Sequence, residues 1–317
     1  MKKIAIITIT NSGLNFGNRL QNYALQKTLE SLSATVETIY SSKSIFNSII
    51  FSRMRRIAKI ILRSDKRRRS FNKFDRKHIN KSAITRYECL NDYVFNSEYD
   101  AFVAGSDQIW NPHFHFNSDF EFMTFADKNK RFSYAASFGV SQIPKEYESS
   151  YKNMLSDISS VSVREEQGAA IVNELTGRDV PIHIDPALLL DKEDYMPLIE
   201  KPDMKTPEKY ILTYFLGIVS AEQKAFVNQI SQELKLPIVE LSDSRNSPFY
   251  GLGPSHFLYL INHSEYICTD SFHGAVFSIL FKKKFTVCYR EKAIGEEKMH
   301  SRIDTLLSKL HLEERIL

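Results

Sequence analysis

One stretch offers general acid–base chemistry. In TDSFHGAVFSILF, His273 follows the apolar run EYICT and precedes Gly274 and a second apolar run. A histidine titrates near neutral pH and suits proton transfer, and Gly274 permits close approach of a ligand. Asp270 and Ser271 stand beside it as groups that could orient the ring or relay a proton. Arg164 directly follows VSV, where a guanidinium at the end of a strand can take a phosphate or carboxylate in bidentate fashion. TNSGLNFGN, with Asn11, Gly17 and Asn18, has the make-up of an anion loop ahead of a helix, and equally that of a plain Gly/Asn turn. GSDQIWN offers Ser106, Asp107 and Asn111 as polar groups; the alternative is a helix cap with Trp110 in the core. Each motif is weak alone. No second ligand stands at metal spacing beside His273, no GxSxG elbow occurs, and no metal site is expected.

These residues need strands and helices to position them. KIAIITIT is a β-branched run ended by NSG, which reads as a buried parallel strand. NFGNRLQNYALQKTLESL has Leu20, Tyr23, Ala24 and Leu29 on helical spacing, with Asn18 as the expected cap. TVETIY is the next strand. This opening is that of a doubly wound α/β fold. YDAFVAG, RFSYAASFG, SSVSV and VPIHI read as further strands. After a polar stretch holding Pro197, Pro202 and Pro207, strands and helices alternate again from KYILTYFLG to FTVCYR, and SRIDTLLSKLHLEER reads as a final helix.

The expected fold is therefore α/β, with two Rossmann-like doubly wound domains facing a cleft. Residues 1–197 form the first, with a basic amphipathic insertion over about 44–86; residues 198–317 form the second, its last helix (about 301–315) free to pack back on the first. Ligands in such sheets bind at the carboxyl ends of strands. Those loops are the ones holding the residues above, together with Ser137 in SYAASFG.

Composition narrows the class. With 43% hydrophobic and 25% charged residues, the 317-residue chain is ordinary for a globular protein. It contains no apolar run of membrane-spanning length. Three scattered cysteines, none in a CxxC pair, fit a reducing cytoplasm rather than a disulfide framework. The net charge of +4 is uneven: Arg53 to Arg86 holds 14 Lys/Arg and two Asp, a net of +12, against 28 basic and 36 acidic residues elsewhere, a net of −8. Phe46, Ile49, Ile50, Met54, Ile57, Ile60 and Ile61 fall on one helical face within or beside that segment. An apolar face with basic flanks suits an anionic membrane surface, and a solvated basic face is the alternative. No recognised module supports nucleic-acid binding.

Taken in order, NFGNRLQNYALQ, FVAGSDQIWNP, SYAASFG, VREEQG, IDPALLL, YICTDSFHG and SRIDTLL resemble the polysaccharide pyruvyl transferase family over nearly the whole chain. The resemblance implies a glycosyltransferase B-type fold. It implies transfer of a pyruvyl group from phosphoenolpyruvate, a co-substrate with no further cofactor, to a pair of hydroxyls on a cell-surface or capsular polysaccharide precursor. If the basic segment meets an anionic membrane, the saccharide acceptor is expected to be lipid-linked and the enzyme peripheral at the membrane's inner face. The family's catalytic histidine falls on His273 and its anion-gripping arginine on Arg164. Many members carry an arginine two residues before the histidine. Ser271 stands there, with Arg302 or Arg290 as possible substitutes. Two alternatives stay open: a nucleotide-sugar-dependent glycosyltransferase of the same fold, and a non-catalytic membrane-associated assembly factor.

Overall fold

The computed structural model describes residues 1–10, 14–42, 65–82, 85–86, 93–114, 119–242, 247–290 and 300–317. Asn11 and the apolar helical face expected over 46–61 lie outside them. The chain divides into two units, residues 1–61 with 75–189 and residues 62–74 with 190–317.

The first unit is built on β1 (Lys2–Ile7), β2 (Ala34–Thr38), β5 (Ala101–Ala104) and β6 (Arg131–Ser133), all parallel in the order β2-β1-β5-β6. A two-residue ladder joins β3 (Ser41–Ser42) to β4 (Thr85–Arg86). Successive side chains of a strand face opposite ways, so β1 feeds two cores. Ile6 packs with Val36, Val103 and Leu25 of α1 (Phe16–Ser31). Ala5 and Ile7 join the larger core with Trp110 and Phe138, and with Leu155 and Ile171 from the later helices Lys145–Ser156 and Glu166–Thr176. Helices thus cover both faces, as a doubly wound sheet requires. SSVSV and VPIHI, expected as strands, contribute isolated parallel bridges instead: Phe132–Ser160, Ala136–Val163 and Val163–Ile182.

The second unit repeats the plan with β7 (Ile211–Tyr214), β8 (Ile238–Leu241), β9 (Tyr266–Thr269) and β10 (Lys284–Val287), parallel in the order β10-β9-β7-β8. In each sheet the strand that comes first in the chain lies between the sheet's second and third strands. The strand order therefore reverses between β1 and β5 in one sheet and between β7 and β9 in the other. A capping box between Ser220 and Gln223 starts the helix Ala221–Leu234. Val227 of that helix packs on Ile211 and Cys268. On the opposite face, Tyr214 meets Phe257 of Pro254–His263, which in turn meets Phe277 of Phe272–Leu280.

Two expected boundaries shift. The units part at 189/190 rather than 197/198. The polar-looking text there buries Tyr195 edge-on against Phe277, with ring centroids 5.1 Å apart. The final helix Ser301–Lys309 groups with the second unit, where Tyr289 donates to Asp304 at 2.7 Å and Leu317 N–H donates to the Val287 carbonyl at 2.9 Å. The other division falls inside the basic helix Lys66–His78. Before it, Lys73 pairs with Glu200 at 2.6 Å and Asp65 accepts from Tyr250 at 2.6 Å; beyond it, Asp75 pairs with Arg19 at 3.1 Å.

Candidate functional site

In the first unit, the loops after β1 and β5 are tied together by Gln21 of α1. Its amide donates to Thr8 Oγ1 at 3.0 Å, and its carbonyl oxygen accepts the Ser106 N–H at 3.0 Å. Gly105 lets the β5 loop lie against Tyr134, where an added Cβ would fall 2.1 Å from the Tyr134 carbonyl oxygen. The Ser106 hydroxyl, fully buried, donates to the Ala135 carbonyl at 2.8 Å and lies 3.2 Å from Asp185 Oδ2. Asp107 takes a left-handed backbone (φ 66°) and accepts from Asn18 Nδ2 at 3.4 Å. Asn18 is buried inside α1 rather than capping it. The cap is Asn15, three residues earlier, whose side chain accepts the Asn18 N–H. Gly17 is buried in the same first turn.

Arg164 does not present its guanidinium to solvent. The side chain is 2% exposed and pairs with Asp185 at 2.7 Å, Asp107 at 3.7 Å and Glu165 at 3.9 Å. Burial pulls its pKa down, and the three carboxylates more than offset that, so it stands above the ordinary arginine value. The Ser137 hydroxyl and the Phe138 N–H both donate to Glu165 Oε1. An outward anion grip by Arg164 is therefore not what this structure shows; internal carboxylates hold the fork. Asn111 is a turn residue, its amide on Gln108 at 2.7 Å, and Trp110 is core, stacked on Phe122.

In the second unit, the loops after β7 and β9 meet through Asp270. Its two carboxylate oxygens accept the Leu216 and Gly217 N–H groups, each at 2.7 Å, and Arg290 Nε lies 3.4 Å away. The Ser271 hydroxyl caps the next helix, accepting the Gly274 N–H at 3.2 Å. That helix begins at Phe272, so His273 sits in its first turn, 6% exposed. Asp270 and Ser271, expected to orient His273, are engaged with backbone and Arg290 instead. Gly274 is required for packing, since a Cβ there would lie 2.4 Å from Thr269 Oγ1. The His273 ring stands edge-on to Phe272 at 5.2 Å, and the Arg302 guanidinium lies 6.0 Å from the Phe272 ring. Arg290 and Arg302 thus both come to the loop whose arginine position is Ser271.

The structure therefore gathers Asn18, Ser106, Asp107 and Arg164 in the first unit, with Ser137 joined through Glu165. It gathers Asp270, Ser271, His273, Gly274 and Arg302 in the second. Sequence reasoning missed Asp185 and Gln21 as members of the first group. The Asp-Pro at the end of VPIHI was the available signal for Asp185. Among the described residues, no cluster of three or more His, Cys, Asp or Glu is placed to hold a metal ion.

Two parallel-sheet units, each with polar loops at its strand reversal, define an α/β protein of Rossmann-like build. The polysaccharide pyruvyl transferase family model matches residues 15–292, and the chain belongs to that family. It is a family of transferases of polysaccharide biosynthesis. Comparison with curated proteins found no match. Among solved structures, the chain is similar to a putative UDP-N-acetylglucosamine 2-epimerase from Listeria monocytogenes, with 12% identity, 99% of this chain and 90% of that one covered, and a TM-score of 0.48. The UDP-GlcNAc 2-epimerase from Methanocaldococcus jannaschii gives 10%, 99%, 93% and 0.49. The E. coli heptosyltransferase WaaC gives 9%, 98%, 99% and 0.39.

Proposed function

We propose that the protein transfers a pyruvyl group from phosphoenolpyruvate to a saccharide. The observation that carries this is His273 in the first turn of a helix at the strand reversal of the second sheet, with Arg290 on Asp270 and Arg302 over Phe272 beside it, in a chain of the pyruvyl transferase family. Phosphoenolpyruvate is a small dense anion, and preorganised positive charge is what accelerates its reactions. Arg290 and Arg302 supply that charge, in place of the arginine that Ser271 replaces. The carboxylates around Arg164 make the first-unit group a poor anion site, so Arg164 is a positioning residue that fixes Asp107, Glu165 and Asp185.

A proton is added to the methylene carbon of phosphoenolpyruvate and leaves an oxocarbenium at the adjacent carbon. A sugar hydroxyl attacks that carbon and gives up its proton. The carbon–oxygen bond to phosphate breaks with its electron pair leaving on the phosphate, and a second hydroxyl attacks the same carbon and closes the ketal as its proton passes to the released phosphate. His273 moves one of these protons, toward the enol carbon or from the hydroxyl. No resident cofactor is needed. General acid–base catalysis is worth about 10²–10⁴-fold. Turnover by His273→Ala should fall by that factor at unchanged thermal stability, followed as phosphate release with a saccharide acceptor. Full activity in this variant would remove His273 from the chemistry.

A membrane-side location fits the exposed Lys66, Arg68, Arg69 and Arg76 of the basic helix, which suit an anionic lipid surface and hence a lipid-linked acceptor. Among the described residues, no helix is long and apolar enough to cross a membrane.

A further inference from the structure

A cavity of about 480 Å³ opens in the second unit between the helix Ala221–Leu234 and the face of β7 and its edge neighbour β8, reaching the loop after β7. Its volume falls in the range of small-molecule sites. Val227 and Ile238 form apolar wall and Phe215 supplies an aromatic face. Thr213, 4% exposed, and Ser242 offer hydroxyls, and Asn228 offers both an amide donor and an acceptor. Among the described lining residues, the charged ones are Lys224 and Glu240. The Glu240 carboxylate in the wall disfavours a diphosphate or any other dense anion. Mixed donors and acceptors around an aromatic face suit a neutral, polyhydroxylated ring.

The cavity is also coupled to the His273 loop. Gly217 lines it, and the Gly217 N–H is held by Asp270, three residues before His273. We propose that this cavity binds a neutral sugar unit of the acceptor, beside the unit that reacts. As an acceptor subsite it rests on the pyruvyl transferase reading; as a sugar site it is testable alone.

The test is saturation-transfer difference NMR with a panel of methyl glycosides of neutral hexoses and N-acetylhexosamines, on the wild type and an Asn228→Ala/Glu240→Gln variant. Both positions are exposed, so folding is not at stake. At least one glycoside should give signal in the wild type and bind about tenfold more weakly to the variant, the effect of one or two lost hydrogen bonds. Phosphoenolpyruvate should shift the melting of both proteins equally. No signal from any glycoside, equal binding by the variant, or displacement of the glycoside only by a nucleoside diphosphate would overturn the proposal. If phosphoenolpyruvate stabilises neither protein while glycoside binding depends on Glu240, the donor reading fails and the sugar site stands.

Discussion

Arg164 Nη1 lies 2.7 Å from Asp185 Oδ2, with the two side chains 2% and 0% exposed. A buried pair of this kind adds little net stability, yet losing one partner strands the other in a poor solvent. Arg164→Ala should therefore lower the unfolding free energy by about 3–5 kcal/mol, measured by urea denaturation. Arg164→Lys should recover only part of that, because an ammonium cannot serve Asp185, Asp107 and Glu165 from one planar fork. Full stability in Arg164→Lys would show that the fork is not required.

Asp270 joins the two loops at the reversal of the second sheet by accepting two backbone N–H groups. Asn at this position keeps one acceptor and turns an amide NH₂ toward the other donor. Asp270→Asn should cost about 1–3 kcal/mol. It should also speed hydrogen exchange at Leu216 and Gly217 while leaving β7 amides protected. Unchanged exchange at both residues would mean that the clamp does not hold this loop.

Gly274 faces Thr269 so closely that a methyl group would overlap its side chain. Gly274→Ala should destabilise by about 1–3 kcal/mol through overpacking. Gly274→Ala/Thr269→Ala should recover much of the loss, since the obstructing atoms are Thr269 side-chain atoms. A single variant as stable as the wild type contradicts the close approach.

His256 Nδ1 accepts the Gly253 N–H at 3.1 Å, which requires a neutral ring, and burial holds its pKa below the ordinary histidine value. The unfolded chain then takes up the proton more readily than the folded one. The His256 contribution is thus complete above about pH 6.5, the unfolded value, and is lost as pH falls from there toward the lower folded value. His256→Gln keeps an acceptor without titrating. The stability gap between wild type and this variant should move in the variant's favour on going from pH 7.5 to pH 5.5, measured by urea denaturation. A gap that does not change with pH would contradict the neutral cap.

The exposed basic residues of Lys66–His78 should bind anionic vesicles and not neutral ones, with affinity falling as salt rises. In sedimentation with phosphatidylserine vesicles, Arg68→Glu/Arg69→Glu/Arg76→Glu should lose most binding. Retained binding would move the membrane contact elsewhere.

The strands were the legible part. KIAIITIT and EYICT are β-branched or apolar runs that only a sheet buried on both faces accommodates, and both are strands. What misled was information that local sequence does not carry. Asn15 and Asn18 are both good caps three residues apart, and burial against Asp107 claims the second. The proline-bearing stretch after Leu189 looks like linker, yet Tyr195 and Leu198 are buried. Glu165 stands next to Arg164 in sequence, which says nothing of its burial. Its burial comes from Ser137 and Phe138, and the strongest partner of Arg164 is Asp185, 21 residues away. At the His273 loop, Ser271 stood out as the missing arginine. That its hydroxyl is a helix cap, and that Arg290 reaches Asp270 from the next strand's end, follow from the parallel pairing of β9 and β10.

The most direct test of the donor is a thermal melt with added ligands. A ligand at 100 times its dissociation constant stabilises the folded state by about 2.7 kcal/mol. Phosphoenolpyruvate should raise the melting temperature of the wild type, and Arg290→Ala should blunt the shift. Nucleotide sugars should leave it unmoved. A melting temperature raised by a nucleotide sugar and untouched by phosphoenolpyruvate would contradict pyruvyl transfer as the function.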